Sequence, residues 1–373
     1  MKKTRYRKKK SIVIFLIVAL CLVLYGATEI AKDSGKEAQK TENSVDVVSN
    51  LQIHFIDVWQ GDCTLILSDG HAMLIDAGND SKGTAVQLYL MKQGISKLDY
   101  VIGTHPDSDH IGGLDVILTK FACDTIMLPD CSSDTDAYRD VMKTMEYRGY
   151  RNTQPTVGTS YMLGDCTFTI LSPDQKYEDT NNNSICIRLT HGENSFLFTG
   201  DAEEPAEEEM RCGELDVSAD VLKVAHHGSS SSTSAAFLKA VHPTYAVISC
   251  GKDNFYGHPH TEVLSRLQSA GVNVYRTDEL GTVIAESDGK NITFGTQEAA
   301  YILNTNTGTF HYADCEGAAD MKDKNKFGID LTRDELVEQG CKPCGICRPR
   351  QVRCQGKRSC QSLQCDTGRA SYS

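Results

Sequence analysis

The sequence predicts an α/β layered fold, a pair of mixed sheets with helices outside, on three observations. Apolar runs of strand length recur between about residues 51 and 294, helical patterns alternate with them, and Gly or Asp turn residues separate them. No internal repeat stands out at a period of about 20–50 residues, which disfavours a solenoid. At 373 residues the chain exceeds one typical domain, and its 40% apolar content is ample for a core.

Residues 1–27 read as a membrane-targeting segment. The first ten carry seven Lys or Arg, and Ser11–Tyr25 is an uncharged apolar run. Basic residues on its N-terminal side predict that end in the cytoplasm and the remainder outside. No small-residue pair marks a cleavage site near Gly26 and Ala27, so a retained anchor is expected, with secretion following if the segment is cleaved. Residues 28–50 are polar and aperiodic, a linker.

The body, residues 51–297, opens with three consecutive strands, expected to be antiparallel: Leu51–Val58, Cys63–Leu67 and Ala72–Ala77. A helix over about Gly83–Lys92 precedes the strand Tyr100–Thr104. Further strands are expected at Thr125–Leu128, Thr167–Leu171, Ile185–Leu189, Ser195–Phe198, Val221–Ala225 and Tyr245–Ser249, with helices over Asp134–Tyr147, Glu203–Cys212, Ser234–Val241 and Thr261–Ala270. Terminal strands fall near Val272–Tyr275, Thr282–Ala285 and Asn291–Phe294. A boundary near Phe294–Ala300 introduces a small Cys/His unit, residues 298–350, and a basic tail, residues 351–373.

Charge is unevenly distributed. Residues 11–340 hold 24 Lys plus Arg against 49 Asp plus Glu, so no generic basic groove for nucleic acid is visible there. Any grip on phosphate would rest on metal ions, local basic residues or the basic ends. Of 15 cysteines, one lies in the apolar segment, seven are scattered from Cys63 to Cys250, and seven fall between Cys315 and Cys365. The scattered set shows no short metal spacing and reads as core residues or, outside the cell, disulfides.

Chemistry concentrates where strands end. After the run Tyr100–Ile102, the ligands His105, Asp107, Asp109 and His110 fall within six residues, followed by Gly112 and Gly113, which suits a helix packed closely behind. Imidazoles with two carboxylates favour borderline or hard divalent ions, Zn2+ or Mn2+. Phe196–Asp201 delivers a carboxylate after a sharp glycine turn, Val221–Ser229 ends in His226 and His227, and Tyr256–His260 places His258 and His260 before a helix. Singly, each is an ordinary cap or polar turn; together they form the parts of a multi-strand metal site. Ser229–Ser232 lacks the Gly-x-Ser-x-Gly context of a serine nucleophile and reads as a helix cap.

The order Asp57-Val-Trp-Gln-Gly-Asp62, Thr104-His-Pro-Asp-Ser-Asp-His-Ile-Gly-Gly113, Thr199-Gly-Asp201 and Lys223-Val-Ala-His-His-Gly-Ser229 resembles the metallo-β-lactamase superfamily, in particular the extracellular domain of ComEC-type DNA-uptake proteins, over roughly Leu51–Phe294. The resemblance implies an αββα sandwich with two divalent ions, Zn2+ or Mn2+, at one edge. It implies His105 and Asp107 on the first ion, Asp109 and His110 on the second, and Asp201 bridging. Asp107 stands where most of the superfamily has histidine, and Asn181-Asn-Asn-Ser-Ile185 replaces a further histidine, so the first ion is short of protein ligands. The last ligand is His226 or His227, His227 being favoured, with His226, His258 and His260 left for substrate phosphate or for protonating the leaving group; Asp109 and His227 count among the catalytic residues as well as the ligands. Asp57 and Asp62 are expected to orient ligands, Asp76 to do likewise or to cap a turn. Trp59 replaces the usual glycine of the first motif.

The unit 298–350, with Phe310–Cys315 and Gln339–Cys347, resembles a small Gram-positive C-terminal module similar to the zinc-binding part of Ada-type proteins. That resemblance implies a structural Zn2+ on His311 or Cys315 with Cys344 and Cys347, Cys341 in reserve; the competing expectation is a disulfide knot. The function expected is an extracytoplasmic metal-dependent phosphodiesterase or nuclease acting on DNA through a metal-activated water. Two alternatives stand beside it: hydrolysis of a small phosphoester or lactone, and a non-catalytic surface binding module.

Overall fold

The computed structural model describes residues 50–350; the expected targeting segment, all but the last residue of the linker, and the basic tail with Cys354, Cys360 and Cys365 lie outside the described residues. Among the described residues no helix is long and apolar enough to cross a membrane.

Two seven-stranded sheets form the centre. The first comprises β1 (Leu51–Phe55), β2 (Thr64–Ser68), β3 (His71–Ile75), β4 (Lys97–Ile102) and β5 (Ala122–Met127), extended on the far side of β1 by two strands from late in the chain. The second runs through β6 (Ser160–Leu163), β7 (Cys166–Ser172), β8 (Cys186–His191), β9 (Asn194–Phe198), β10 (Val221–Lys223), β11 (Tyr245–Ile248) and β12 (Asn273–Arg276). The late strands of the first sheet are β13 (Val283–Ser287) and β14 (Ile292–Thr296). The first three strands pair antiparallel, as their short turns require, whereas β3, β4 and β5 are parallel, as are β9 to β12. Parallel pairing puts the C-terminal ends of β3, β4, β9, β10 and β11 at one edge, where loops can converge.

Side-chain alternation sorts the strands' residues into two cores. Ile66, Met73 and Ile75 face the second sheet, in a cluster with Phe168, Phe196 and Val247. Leu65, Ala72 and Leu74 face the helices Gly83–Lys92 and Leu114–Lys120. A third cluster joins Leu197, Leu222 and Ile248 to the helices Glu204–Cys212, Ala235–Val241 and Thr261–Ser269. The result is the helix–sheet–sheet–helix sandwich. Both faces of the central strands are buried, which is why they read as continuous apolar runs. The edge strand β6, SYML, is short and partly exposed and carries too weak a pattern to be read from sequence.

Residues 301–343 add a third sheet: β15 (Tyr301–Asn304), β16 (Thr309–His311), β17 (Lys326–Ile329) and β18 (Lys342–Pro343). Its Tyr301, Leu303, Phe310, Phe327, Ile329 and Leu336 share one buried cluster with Val86, Tyr89 and Leu114 of the outer helical layer. A unit this small gains its core by borrowing apolar surface. Cys341 is buried in this cluster and so faces the core. Among the described residues the eleven cysteines form no disulfide.

His54 sits on the helix-facing side of β1, buried, with Nδ1 at 2.7 Å from the Tyr89 hydroxyl. Burial lowers its pKa to about 4. The folded state thus binds this proton less readily than the unfolded chain, and stability present above pH 6.5 is lost as pH falls towards 4. Over that window wild type should lose on the order of 3 kcal/mol more than His54→Gln, measured as the shift of urea midpoint with pH; equal acid sensitivity would remove His54 as the cause.

Candidate metal centre

The edge between the sheets is built around Asp201. Gly200 before it has φ 49°, and a Cβ there would lie 2.9 Å from Ser184 Oγ and 3.0 Å from Thr104 Cβ, so only glycine fits the turn out of β9. The Asp201 amide donates to Ser184 Oγ (3.0 Å), and the carboxylate is buried. Four imidazoles turn Nε2 towards it: His110 at 3.2 Å from Oδ1, and His227, His226 and His105 at 3.5, 3.7 and 3.9 Å from Oδ2. Asp109 Oδ2 lies 3.3 Å from His227 Nε2, and Asp107 Oδ2 3.8 Å from His105 Nε2.

Outer contacts fix each ring. His110 Nδ1–H donates to Asp76 Oδ2 (2.8 Å), leaving Nε2 as an electron-pair donor towards Asp201. Asp76, whose other oxygen accepts the Thr104 amide (2.8 Å), also accepts the Thr104 hydroxyl (2.7 Å), which in turn stands 3.1 Å from His105 Nδ1. His227 Nδ1–H donates to the Ser249 carbonyl (3.0 Å) with Asp62 Oδ1 at 3.4 Å. Asp62 is also held by Lys223 Nζ (2.7 Å), a buried ion pair. Although an Asp62 oxygen lies within 4.8 Å of the ligand atoms of His110, Asp201 and His227, it faces the Nδ1 side of His227, which makes it a positioning group.

The ligand turn is clamped by close backbone approach. A Cβ on Gly113 would meet the Ala77 carbonyl at 2.4 Å, and the Ala77 amide donates to the His110 carbonyl at 2.7 Å. On the other side His226 and His227 take φ 50° and 53°, followed by Gly228 at 84°. Two adjacent left-handed non-glycine residues cost about 1–2 kcal/mol each, and this tight left-handed turn carries both rings. The sequence leaves a choice between His226 and His227; the structure brings both to Asp201. His226 is the more open of the two, its Nδ1 at 3.2 Å from Glu203 Oε1.

The electrostatics are those of a cation site occupied by protons. Burial disfavours charge on Asp201, yet His110 and His227 hold its pKa well below the carboxylate range. Burial likewise opposes protonation of His227, but Asp201, Asp109 and Asp62 raise its pKa to about 10, and Asp201 and Asp76 raise that of His110. Burial and the neighbouring His110 lower His105.

The remaining expected residues separate. His258 stands 5.5 Å from the His226 ring and 6.1 Å from that of His227, at the mouth of the site. Burial and the neighbouring histidines lower its pKa to about 4. His260 is tied into the backbone instead: Nδ1 accepts the Ser230 amide (2.9 Å) and Nε2 faces the Tyr256 carbonyl (3.2 Å), so it holds the loop. Asp57 contacts Trp59 and Thr282 and not a ligand; it accepts the Trp59 amide at 2.9 Å. Trp59 itself has φ 69°, a conformation glycine adopts more readily, and donates Nε1–H to the Lys252 carbonyl (2.9 Å). Thr104, Ser184 and Ser249 also position the site, through contacts with Asp76, Asp201 and His227 that lie 17–28 residues away and that no local pattern marks.

The sequence matches the family described as metallo-beta-lactamase superfamily over residues 56–130 and 171–252. The chain carries a metallo-β-lactamase domain. Its relatives include ComE operon protein 3 of Bacillus subtilis (strain 168), 32% identical over 254 residues, covering 63% of this chain and 33% of that protein. Recombination protein 2 of Haemophilus influenzae is 34% identical over 240 residues, covering 62% of this chain and 28% of that protein. The chain thus spans about a third of the length of the curated relatives it matches. Among solved structures, the metallo-β-lactamase fold protein YhfI from Bacillus subtilis covers 66% of this chain and 100% of its own, at 14% identity and a TM-score of 0.44.

The donor chemistry of this metallo-β-lactamase domain fits divalent cations. Nε2 of His105, His110 and His227 and Oδ1 of Asp201 are buried without a hydrogen-bond partner, a cost that a cation repays. Asp109, His110, Asp201 and His227 offer one ligand set, and His105, Asp107 and Asp201 with His226 offer a second.

A second convergence lies in the third sheet, where His311, Cys315, Cys344 and Cys347 each place a ligand atom within 4.8 Å of the others. Cys315 Sγ is 3.6 Å from His311 Nδ1 and 3.9 Å from Cys344 Sγ. His311 and Cys315 therefore belong to one set together, and Cys341 is outside it.

Replacing Asp76 by Asn removes the charge that orients His110 while keeping a side chain that tolerates φ 58°. Calorimetric titration with Mn2+ should show affinity about 10- to 100-fold weaker than wild type with an unchanged circular dichroism spectrum; equal affinity would end the positioning role.

Proposed function

We propose that this chain is an extracytoplasmic, metal-dependent phosphodiesterase acting on DNA. One observation carries the reading: three imidazole Nε2 atoms and a carboxylate oxygen, all buried and without hydrogen-bond partners, converge at an edge that Asp107 and Asp109 open to a cleft of about 660 Å3. A structural ion would be enclosed; here Asp107 keeps 41% and Asp109 32% of its side chain exposed, so a substrate can reach the centre. A further relative named competence protein ComA, of Neisseria gonorrhoeae, supports a DNA-uptake setting, and the basic-then-apolar N-terminus supports an outward-facing, membrane-attached body.

Two divalent ions bound here, Zn2+ or Mn2+, would supply an activated water and neutralise charge on the attacked phosphate. The chain's own groups do the rest. Asp201 spans the two ligand sets, Asp76 and the Ser249 carbonyl hold His110 and His227 with Nε2 inward, and Lys223 keeps Asp62 ionised beside His227. His258, beside His226, lines the approach to the reacting centre, where it meets substrate oxygens. His311, Cys315, Cys344 and Cys347 would hold a structural Zn2+, which would tie β16 to the C-terminal loop.

Incubation of the chain with single-stranded and plasmid DNA in Mn2+ or Zn2+ should give cleavage abolished by EDTA and reduced at least about 100-fold in Asp107→Ala and His227→Ala. Absence of metal-dependent cleavage of either DNA, with hydrolysis of a small phosphoester or lactone instead, would replace the nuclease reading. For the second site, Cys344→Ser should lower zinc content by one ion per chain and lower the melting temperature, read by mercurial-triggered zinc release and calorimetry; an unchanged zinc content would overturn the zinc assignment.

A further inference from the structure

The cleft beside Asp107 and Asp109 has a second wall that the superfamily domain does not provide. Asn306, Lys324 and Asn325, from the turns of the third sheet, line it opposite the metal edge. Its rim carries Phe255 and Tyr256, 87% and 65% exposed, adjacent on the loop between β11 and the helix Thr261–Ser269. Exposed rings of this size are costly to keep in water, and these two are held in place. Asn254 Oδ1 accepts the Tyr256 and His258 amides at 3.1 and 3.0 Å, and Asn254 Nδ2 donates to the Gly251 carbonyl at 2.9 Å. His260, anchored to Ser230, holds the Tyr256 carbonyl.

The rings continue into the site. Tyr256 stacks on His258 at 5.5 Å and 20°, and His258 lies beside His226; Phe255 meets Trp59 edge-on at 6.2 Å. Cations are sparse along this wall. Lys324 is exposed, while Lys82 is buried with Nζ donating to the Lys326 carbonyl (3.2 Å). A duplex is gripped mainly through rows of Lys and Arg on its phosphates, which the acidic body lacks. A single strand needs few cations when aromatic faces stack its bases.

Resting on the phosphodiesterase reading, we propose that the third sheet and the 254–260 loop form a binding track for single-stranded nucleic acid, Phe255 and Tyr256 stacking unpaired bases and Lys324 meeting a phosphate. The C-terminal module is then a specificity element of the site and not only an appendage stapled by metal.

The test is fluorescence anisotropy of the full chain with its zinc retained, using labelled phosphorothioate-linked probes that resist cleavage: a 15-nucleotide strand, an abasic strand of equal length and a duplex. Wild type should bind the base-bearing strand about tenfold or more tighter than the abasic strand and the duplex. Phe255→Ala with Tyr256→Ala, both on the surface, should bind the two strands equally. Lys324→Ala should weaken both strands alike and reduce the salt slope by about 0.7. A double variant that still prefers the base-bearing strand, or a wild type that binds duplex equally well or no strand at all, overturns the proposal. Because the readout is binding, its failure is distinguishable from a failure of the cleavage assay, which bears on the phosphodiesterase reading alone.

Discussion

The organising constraint is the burial of one carboxylate. Asp201 is out of water at the end of β9, and a bare carboxylate there would be prohibitively costly. Four imidazoles compensate it, two from each of two turns. His105 and His110 come from the turn after β4, His226 and His227 from the turn after β10, and the strands that supply them are parallel and end at the same edge. The sandwich is thus a device for bringing chain segments separated by about a hundred residues within 4 Å of one oxygen pair. What suits the arrangement to a cation is that Nε2 of three of these rings has no protein hydrogen-bond partner. A purely structural cluster would satisfy its own donors and acceptors.

Part of the backbone strain lies at that edge. Trp59, Asp76, His226 and His227 all adopt left-handed backbone conformations. Three of them are tied by a side-chain hydrogen bond: Trp59 Nε1 to the Lys252 carbonyl, Asp76 to His110, and His227 to the Ser249 carbonyl. Stability stored in the three buried clusters offsets the cost, and rigidity of the ligand geometry is the return. The tryptophan in place of glycine follows the same logic. It accepts a conformation better suited to glycine and gains a ring that packs over Gly251, where a Cβ would lie 2.8 Å from the indole.

The small C-terminal sheet is bound into this economy from the other side. Its apolar face completes the cluster around Val86 and Tyr89, and its turns approach the cleft through Lys324 and Asn325. A module of fifty residues that carried its own complete core would have no reason to share one. Sharing fixes its position relative to the metal edge, which a flexible tether would not do.

Read from the sequence alone, the strand and helix series, the antiparallel opening and the dense cluster of donor residues His105–His110 were legible, because periodicity and donor spacing are local properties. Asp201 and the His226–His227 pair were legible as strand ends. Their distances were not. That both His226 and His227 face Asp201 depends on successive left-handed residues, a conformation no pattern of side chains announces. That Asp76 acts on His110, that His260 serves its own loop, and that Asp57 turns away from the ligands were decided by hydrogen bonds between residues as many as 34 positions apart. The sandwich order of β13 and β14 beside β1, and the shared core of the third sheet, likewise arise from long-range burial. Local chemistry named the donors; only the packing of two sheets, with the water excluded between them, decided which nitrogen each donor presents and to what.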